Sequence, residues 1–354
     1  AGIHLLLRLN VEAALDGGVV TGVRWYRYEY VGGMLRYRAE GTADSVQEFM
    51  RVRNTLMLLT ICVTWMLGAC IQTPVRPPAR GMVTWAEIAA LPMPPADYRS
   101  EYGTDPLQFG DLRLPRGAGP HPVAVIIHGG CWRSEYDLQH ISHLSAALTR
   151  AGIATWTLEY RRVGDSGGGW TGTFEDVIQG TEYLRTLAQR FPLDLDRMVL
   201  VGHSAGGHLA LWLAARRNLP QESPLYSPAP LPVQGVVSLA GITDLRTYGS
   251  GSGSCNAAVA QLLGGTAEEV PDRYAQASPI ELLPLSLPQR LVHGALDPIV
   301  PLEQSQRFAA RAQSHGDDAQ LWLIEGAGHF DLIAPFAPAW ARVEQAVHSV
   351  ISAR

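Results

Sequence analysis

Residues 199–211, which read VLVGHSAGGHLAL, place a serine where a predicted apolar strand meets a predicted helix. Ser204 lies between Gly202 and Gly206 in the pattern Gly-x-Ser-x-Gly. Because glycine weakens strand and helix interiors, glycines at such a junction indicate a sharp turn with close backbone neighbours. A serine at the apex of this turn exposes its hydroxyl. We therefore predict that Ser204 is a nucleophile, with the Ala205 backbone N–H directed at the oxyanion that its attack creates.

A second match to the same pattern occurs at residues 164–168, GDSGG, which also resemble the serine signature of trypsin-like proteases. We reject Ser166 because those enzymes are all-β and carry their histidine and aspartate before the serine. Ser166 lies in a glycine-rich segment that no predicted helix follows. Ser204, in contrast, has a predicted strand before it and a predicted helix after it.

A serine hydroxyl is a weak nucleophile until a base takes its proton. For a nucleophile on a strand-to-helix turn, the expected chain order is serine, acid, histidine. Asp297, in LVHGALDPIVP, follows a predicted strand, and His329, in GAGHFD, follows the next one. We predict that they are the acid and the base. Asp244 is the serious rival for the acid; the other residues set aside are His208, His293, His315, Asp317, Asp318 and Asp331.

Residues 128–132, HGGCW, form a second glycine-rich loop after a predicted strand. Glycines let backbone N–H groups approach a substrate oxygen, so we predict that the N–H groups of Gly130 and Cys131 complete the oxyanion hole and that His128 braces the loop. Cys131 is not needed as a nucleophile, since Ser204 has that role. Four side chains are predicted to line a substrate pocket, with core packing as the alternative for the aromatic ones: Trp132, Tyr160, Trp170 and His203.

The elements that must position these residues alternate between strand and helix from about residue 98 onward, which predicts an α/β fold with a mostly parallel central sheet and helices on both faces. Several strands are continuous apolar runs, as expected when both faces of a sheet are buried. The segment 249–255, GSGSGSC, is predicted to be a flexible loop. Strands are predicted at 107–114, 122–128, 153–160, 197–202, 235–240, 289–294 and 320–325, and helices at about 137–150, 173–190, 204–216, 303–314 and 338–351.

The N-terminal part has a different pattern. Residues 50–70 read MRVRNTLMLLTICVTWMLGAC, with two arginines, an apolar stretch of signal-peptide length, and small residues before Cys70. The end of this stretch resembles the lipobox of bacterial lipoproteins, whose cysteine is lipidated and becomes the mature N-terminus. A plain secretory signal or a buried helix is the alternative. Because Ile71 is not aspartate, the resemblance implies outer-membrane sorting, and hence a protein anchored in a bacterial cell envelope.

This pattern predicts four segments. Residues 1–49 are expected to be a non-native or mis-annotated extension, although the alternation in RWYRYEY is compatible with a strand. Residues 50–69 are the predicted lipoprotein signal peptide, and residues 70–97, which include TPVRPPAR, are the predicted tether. Residues 98–354 are the predicted catalytic domain.

The composition excludes several classes of function. The chain has 354 residues, is 47% hydrophobic and carries a formal net charge of −5. A nucleic-acid-binding protein normally has a basic face, which this charge argues against. The cysteines Cys62, Cys70, Cys131 and Cys255 form no CxxC pair, so a structural zinc site is not expected. No metal and no organic cofactor are implied.

From about residue 98 to its end, the chain resembles the α/β-hydrolase superfamily. HGGCW looks like the HGGxW motif of kynurenine formamidase-like esterases and is close to the HGGG motif of hormone-sensitive-lipase-like enzymes; GHSAGGHLA, LVHGALDPIVP and GAGHF look like the remaining family blocks. Cys131 departs from the pattern, since relatives often carry glycine or an aromatic residue there. The resemblance implies the same nucleophile, acid, base and oxyanion donors: Ser204, Asp297, His329, Gly130, Cys131 and Ala205.

These residues predict a serine hydrolase, and a carboxylesterase that cleaves small acyl esters is the first expectation. An arylformamidase or a small serine peptidase is the alternative among hydrolases, with a small ester or amide as the substrate. From a different class, the chain could be a surface lipoprotein that kept the fold as a binding module. An intact triad argues against that alternative.

Overall fold

The computed structural model describes residues 81–352 in full and, before them, the backbone of three strands. These strands are β1 (Asn10–Asp16), β2 (Val19–Val31) and β3 (Met34–Ala43), and they pair in that order as an antiparallel sheet. The segment RWYRYEY falls within β2. Residues 1–80 and 81–354 form two compact units. The predicted signal peptide, residues 50–69, and Cys70 lie outside the described residues.

The second unit is built on an eight-stranded sheet. Its strands in chain order are β4 (Tyr98–Glu101), β5 (Phe109–Arg113), β6 (His121–Ile127), β7 (Ala154–Leu158), β8 (Leu193–His203), β9 (Gly235–Leu239), β10 (Gln289–Gly294) and β11 (Ala319–Ile324). Across the sheet the order is β11-β10-β9-β8-β6-β7-β5-β4. Strand β5 runs antiparallel to β4 and β7, and all pairs from β7 to β11 are parallel. The predicted mostly parallel sheet is confirmed.

Helices connect the parallel strands, and the first and last helices of this unit precede β4 and follow β11. They are α1 (Trp85–Ala89), α2 (Gln139–Arg150), α3 (Gly172–Glu182), α4 (Leu184–Leu187), α5 (Ala205–Ala215), α6 (Leu245–Gly249), α7 (Ser254–Leu263), α8 (Pro271–Ala277), α9 (Leu302–Ser314) and α10 (Trp340–Ile351). Short 3-10 turns cover Arg216–Asn218, Pro279–Leu282 and Phe330–Ile333. Each predicted helix has a counterpart, although the one predicted at 173–190 is divided between α3 and α4.

The sheet separates two hydrophobic cores, because successive side chains of a strand point to opposite faces. In β6, Val123, Val125 and Ile127 belong to one core, and Ala124 and Ile126 belong to the other. The first core contains buried residues of α3, α5, α7 and α9, and the second contains those of α1, α2 and α10. Helices therefore cover both faces, and the continuous apolar strands are explained by burial on both sides.

The catalytic unit begins earlier than the sequence predicted. Val83 and Ile88 are buried in the second core, and the Val83 N–H donates to Asp331 Oδ2 over 3.1 Å. Thr84 caps α1: its Oγ1 accepts from the Glu87 N–H, and the Glu87 carboxylate accepts from the Thr84 N–H. Residues 81–97, predicted as tether, are thus part of the folded unit, and the boundary at residue 98 is corrected to Gly81. The rest of the predicted tether lies outside the described residues.

Among the described residues, no helix combines the length and the apolar character that crossing a bilayer requires.

Candidate active site

Ser204 lies at a strained turn between β8 and α5. Its φ of 56° and ψ of −121° lie in a region that side-chain-bearing residues rarely adopt. Its N–H donates to the Leu239 carbonyl over 2.8 Å, and its own carbonyl accepts from the His208 N–H over 3.0 Å. Such strain persists only where the surrounding structure enforces it, and it is concentrated at functional sites. The structure therefore holds Ser204 in the conformation that the glycine pattern predicted.

Glycines make this turn possible because backbone segments cross it at close range. A Cβ added to Gly202 would overlap the Gly206 carbonyl, and a Cβ added to Gly206 would overlap the carbonyls of Ile127 and His128. The N-terminus of α5 thus packs directly against the end of β6. Both glycines are required by contact between backbones, independently of any chemistry at Ser204.

Asp297 and His329 lie in the loops after β10 and β11, and their side chains meet. His329 Nδ1 is 2.7 Å from Asp297 Oδ2, and both side chains are almost completely buried. Because a carboxylate can only accept, His329 carries its proton on Nδ1 and leaves Nε2 free as a base. Asp297 Oδ1 accepts from the N–H groups of Ile299 and Val300. Burial raises the pKa of Asp297, but the hydrogen bond and charge of His329 and the two N–H groups outweigh it, so this pKa is lowered.

The structure gives the alternative residues other roles. Asp244, the rival acid, accepts from the N–H groups of Arg246 and Thr247 as the cap of α6. His208 hydrogen-bonds to the Ala277 carbonyl, and His293 is buried within β10. The remaining residues are structural or exposed. Asp317 accepts from the N–H groups of Leu285 and Ser286, and Asp331 accepts from the N–H group of Gly328. Asp318 pairs with Arg290, and the exposed His315 follows the last residue of α9.

The HGGCW loop follows β6 and passes beside the nucleophile. A Cβ added to Gly129 would lie 3.0 Å from the Ser204 Cβ, so this loop and the turn are in direct contact. Gly130 and Cys131 have φ values of 104° and 53°, both in the left-handed region. Within residues 81–352, the N–H groups of Gly130, Cys131 and Ala205 donate to no protein acceptor. Three backbone donors beside Ser204 therefore remain available to a substrate oxygen.

A buried carboxylate that sequence reasoning missed holds the base of this loop. Glu159 accepts from His128 Nε2 over 3.1 Å and from the Leu138 N–H over 3.0 Å, and it pairs with Arg162 over 3.1 Å. Burial raises the pKa of Glu159, but the charges of His128 and Arg162 and the hydrogen bonds outweigh it, so this pKa is lowered. The Tyr160 hydroxyl donates to the His128 carbonyl. The predicted bracing role of His128 thus depends on Glu159. The sequence feature that could have revealed Glu159 is its position as an acidic residue directly after an apolar strand.

The predicted substrate pocket is not formed by the residues proposed for it. Trp132, Tyr160 and His203 are fully buried. The Trp132 indole N–H donates to His208 Nδ1 in the core, which accounts for its inward orientation. Trp170 is half-buried and packs edge-on against Phe174, with ring centres 5.3 Å apart. These side chains contribute to packing, which was the alternative interpretation for the aromatic ones.

A groove beside the site is lined by other residues. It has a volume of about 810 Å³ and lies between Tyr136, the segment 251–256 at the start of α7, and Pro298 with Ile299. Tyr136 packs on the oxyanion loop, since a Cβ added to Gly130 would overlap its side chain. Pro298 directly follows Asp297 in the chain. The groove therefore borders the site on both the oxyanion side and the acid side.

A disulfide joins the oxyanion loop to this groove. Cys131 is bonded to Cys255, with the two Cα atoms 5.0 Å apart and 124 positions apart in the chain. Cys255 lies in the first turn of α7, so the GSGSGSC segment is tied down at its end and is not free throughout as predicted. The signal in the sequence was a pair of cysteines in the part of the chain predicted to be exported, where disulfides persist.

The chain is similar in sequence to known proteins. The family model described as BD-FAE matches residues 111–311, more than half of the chain. Esterase LipC of Mycobacterium tuberculosis is 28% identical over 241 residues, which cover 66% of this chain and 59% of LipC. Isoprenylcysteine alpha-carbonyl methylesterase ICME of Arabidopsis thaliana is 28% identical over 249 residues, which cover 65% of this chain and 56% of ICME.

The chain thus spans less than two thirds of the length of these two curated relatives. Among solved structures, a truncated form of a carbohydrate esterase from gut microbiota superposes with a TM-score of 0.63 at 21% identity. The superposition covers 73% of this chain and 99% of that one. At this identity the likeness concerns the fold alone. The chain therefore belongs to the BD-FAE family and has the α/β-hydrolase fold.

Proposed function

We propose that this protein is a serine carboxylesterase that cleaves small acyl esters through an acyl-enzyme. The observation that carries the proposal is the hydrogen-bonded pair of Asp297 and His329 in the loops next to the strained turn at Ser204. Relatives named as esterases and carboxylic ester hydrolases support ester cleavage as the reaction. The buried pair and the free backbone donors are what acyl transfer requires.

In the proposed cycle, His329 Nε2 removes the Ser204 proton while Asp297 holds the imidazole tautomer and stabilises the imidazolium. Ser204 Oγ attacks the ester carbonyl. The oxyanion accepts hydrogen bonds from the N–H groups of Gly130, Cys131 and Ala205. His329 then protonates the departing alcohol. Water, activated by the same histidine, attacks the acyl-enzyme and releases the acid.

We place the substrate in the groove beside Tyr136. Its volume of about 810 Å³ lies within the range typical of small-molecule sites. Tyr136, Tyr248 and Ile299 contribute apolar surface to its lining, and the segment 251–256 contributes the hydroxyls of Ser252 and Ser254. This combination suits an ester with both an apolar and a hydroxyl-bearing portion. Exchanging Tyr248 for alanine is expected to change KM more than kcat, because it contacts no reacting group.

The proposed nucleophile is tested with two serines that share one motif. Ser204→Ala is expected to abolish hydrolysis of p-nitrophenyl esters, because loss of a triad serine costs on the order of 10⁶ in kcat. Ser166→Ala is the matched control, since this serine is exposed in a loop, and its activity should match the wild type. Inactivation by Ser166→Ala, or full activity in Ser204→Ala, would refute the assignment.

The leaving group is tested by comparing substrates. A series of p-nitrophenyl esters of increasing acyl length and N-formylkynurenine are offered to the same preparation. Faster turnover of the esters supports the carboxylesterase, whereas faster turnover of N-formylkynurenine would identify an arylformamidase. Absence of turnover for all of them, with binding retained, would favour the non-catalytic binding module.

We also propose that the protein is a lipoprotein of a bacterial envelope, cleaved before Cys70 and lipidated on that residue. The support is the order of charge, apolar stretch and small residues in 50–70. One acyl chain gives marginal membrane binding, with a constant of about 10⁴ M⁻¹, whereas several chains anchor a protein stably. The protein should therefore be released from membranes by detergent and not by salt.

This location is tested by mass spectrometry of the mature N-terminus and by fractionation of a Cys70→Ala variant. A lipidated Cys70 and a soluble variant would support the proposal. An unmodified Cys70, or a variant that remains equally membrane-bound, would contradict it without affecting the catalytic proposal.

A further inference from the structure

Two buried histidines, His140 and His203, lie beneath the proposed site and have no part in the reaction described so far. His203, the residue before Ser204, is fully buried, and its Nε2 is 3.0 Å from the carbonyl oxygen of His329. Its Nδ1 is 2.8 Å from Nε2 of His140. The rings of His203 and His329 are 4.4 Å apart between centres. His203 thus connects the nucleophile turn to the loop that carries the base.

The hydrogen-bond partners determine which nitrogen of each ring carries the proton. The His329 carbonyl can only accept, so His203 Nε2 must be the donor. Burial lowers the pKa of both His203 and His140 well below the ordinary value, so each ring is neutral with a single N–H. The bare Nδ1 of His203 therefore accepts from His140 Nε2–H. The chain of donors runs in one direction, from His140 through His203 to the backbone of His329.

The surroundings hold His140 in this orientation. Its ring stacks on Trp85 of α1, with centres 5.2 Å apart and planes 25° apart. Its bare Nδ1 is buried without a hydrogen-bond partner among the described residues. A Cβ added to Gly129 would lie 3.1 Å from His140 Nε2 and 2.7 Å from the His203 carbonyl oxygen, so the oxyanion loop passes over this pair. The three proposed catalytic loops therefore meet at the two histidines.

We propose that His203, oriented by His140, is a positioning residue that holds the backbone of His329 against the nucleophile turn. The inference rests on the proposed function, because it assumes that His329 is the base. Displacement of the base by about 1 Å can lower the rate by 10²-fold. Loss of one buried hydrogen bond to the backbone of His329 can therefore lower kcat. His203 moves no proton in the reaction. Its effect is on the geometry of His329 and not on the binding of the substrate.

The test begins with the wild-type protein. Long-range ¹H–¹⁵N correlation spectra of the histidine rings at neutral pH identify which nitrogen is protonated. The expected result is the Nε2–H tautomer for both His203 and His140. An Nδ1–H tautomer at His203 would overturn the inference, since its Nε2 could not then donate to the His329 carbonyl.

Variants then test the consequence for turnover of a p-nitrophenyl ester. His203→Leu, of similar size but without a donor, is expected to lower kcat by roughly 10²-fold with KM little changed. His203→Gln should recover much of this loss, because its amide can donate to the same carbonyl. A kcat of His203→Leu within about twofold of wild type would overturn the proposal, because a 1 Å misplacement should cost far more.

Trp156 provides the matched control. It is also fully buried, and its indole N–H makes the same kind of bond, to the Gly180 carbonyl, over 2.7 Å. Trp156→Phe should lower stability without changing kcat, and an equal loss of kcat would reduce the role of His203 to general packing and overturn the inference. If His203→Leu does not fold, His140→Phe, which keeps the ring against Trp85 and removes the donor, must lower kcat for the inference to stand.

The outcomes separate this inference from the esterase proposal. If the folded wild type hydrolyses no ester, the esterase proposal fails. The tautomers still decide whether His203 holds the His329 backbone. If the wild type is active and the variants are unaffected, the positioning role alone fails.

Discussion

Loss of the disulfide between Cys131 and Cys255 is expected to lower both the free energy of unfolding and kcat. The bond joins residues 124 positions apart, and closing a loop of this length restricts the unfolded chain. The chain-entropy relation gives about 5 kcal/mol at 25 °C for such a loop, which is an upper value because denatured chains keep some structure. The Cys131→Ser/Cys255→Ser double variant should therefore lose several kcal/mol of stability.

The expected effect on kcat is smaller than the loss of an oxyanion donor. Removing one such donor costs about 10²–10³ in kcat. Here the donor is a backbone N–H that the variant keeps, and the loop retains other supports: His128 is held by Glu159, and the Trp132 carbonyl accepts from the Val163 N–H over 2.8 Å. We expect kcat to fall by about tenfold, well short of the cost of a missing donor.

The assay combines urea unfolding with ester kinetics, each with and without a dithiol reductant. Reductant should shift the wild type toward the double variant, and it should leave the double variant unchanged. A double variant that unfolds at the same urea concentration as the wild type would refute the entropy argument. An unchanged kcat would show that the disulfide does not contribute to the shape of the oxyanion loop.

Three further changes test separate parts of the structure. Asp297→Asn should lower kcat by about 10⁴ because the imidazole would lose its tautomer, whereas Asp244→Asn should affect only stability in thermal unfolding. Gly206→Ala should prevent folding or strongly lower the melting temperature, since its Cβ would overlap the carbonyl of Ile127. Burial lowers the pKa of His208 to about 4, below the ordinary 6.5, so the unfolded chain binds a proton first on acidification. Urea unfolding should therefore show stability falling as pH drops from about 6.5 toward 4, and less so in His208→Gln.

The strands, the nucleophile turn and the candidate acid and base could be predicted because each depends on a short local pattern in the sequence. The turn at Ser204 requires glycines that are visible in the chain, and Asp297 and His329 each follow a short strand that the sequence predicted. Parallel strands place their carboxyl ends at one edge, so predicting the strands also predicted which loops would meet.

The missed features depend on the direction of side chains and on distant partners. Trp132 turns inward because its backbone has a φ of 56° and His208 accepts its N–H, and neither fact is visible in HGGCW. The pairing of Cys131 with Cys255 joins segments far apart in the chain. Helix α1 was overlooked because the prolines around it indicated a tether, although Thr84 and Glu87 form a capping box that the sequence displays.

The crowding around Gly202 and Gly206 also bears on how this fold could lose its activity over evolutionary time. Both glycines are demanded by contacts between main chains, so they are needed for folding whether or not Ser204 reacts. Ser204 is different, because the strained turn needs only a small side chain at that position and gains no folding energy from a nucleophile. A descendant that became a binding protein would be expected to keep the two glycines and exchange the serine. In this chain, therefore, Gly202 and Gly206 mark the shape of the turn, whereas Ser204, together with Asp297 and His329, marks the proposed chemistry.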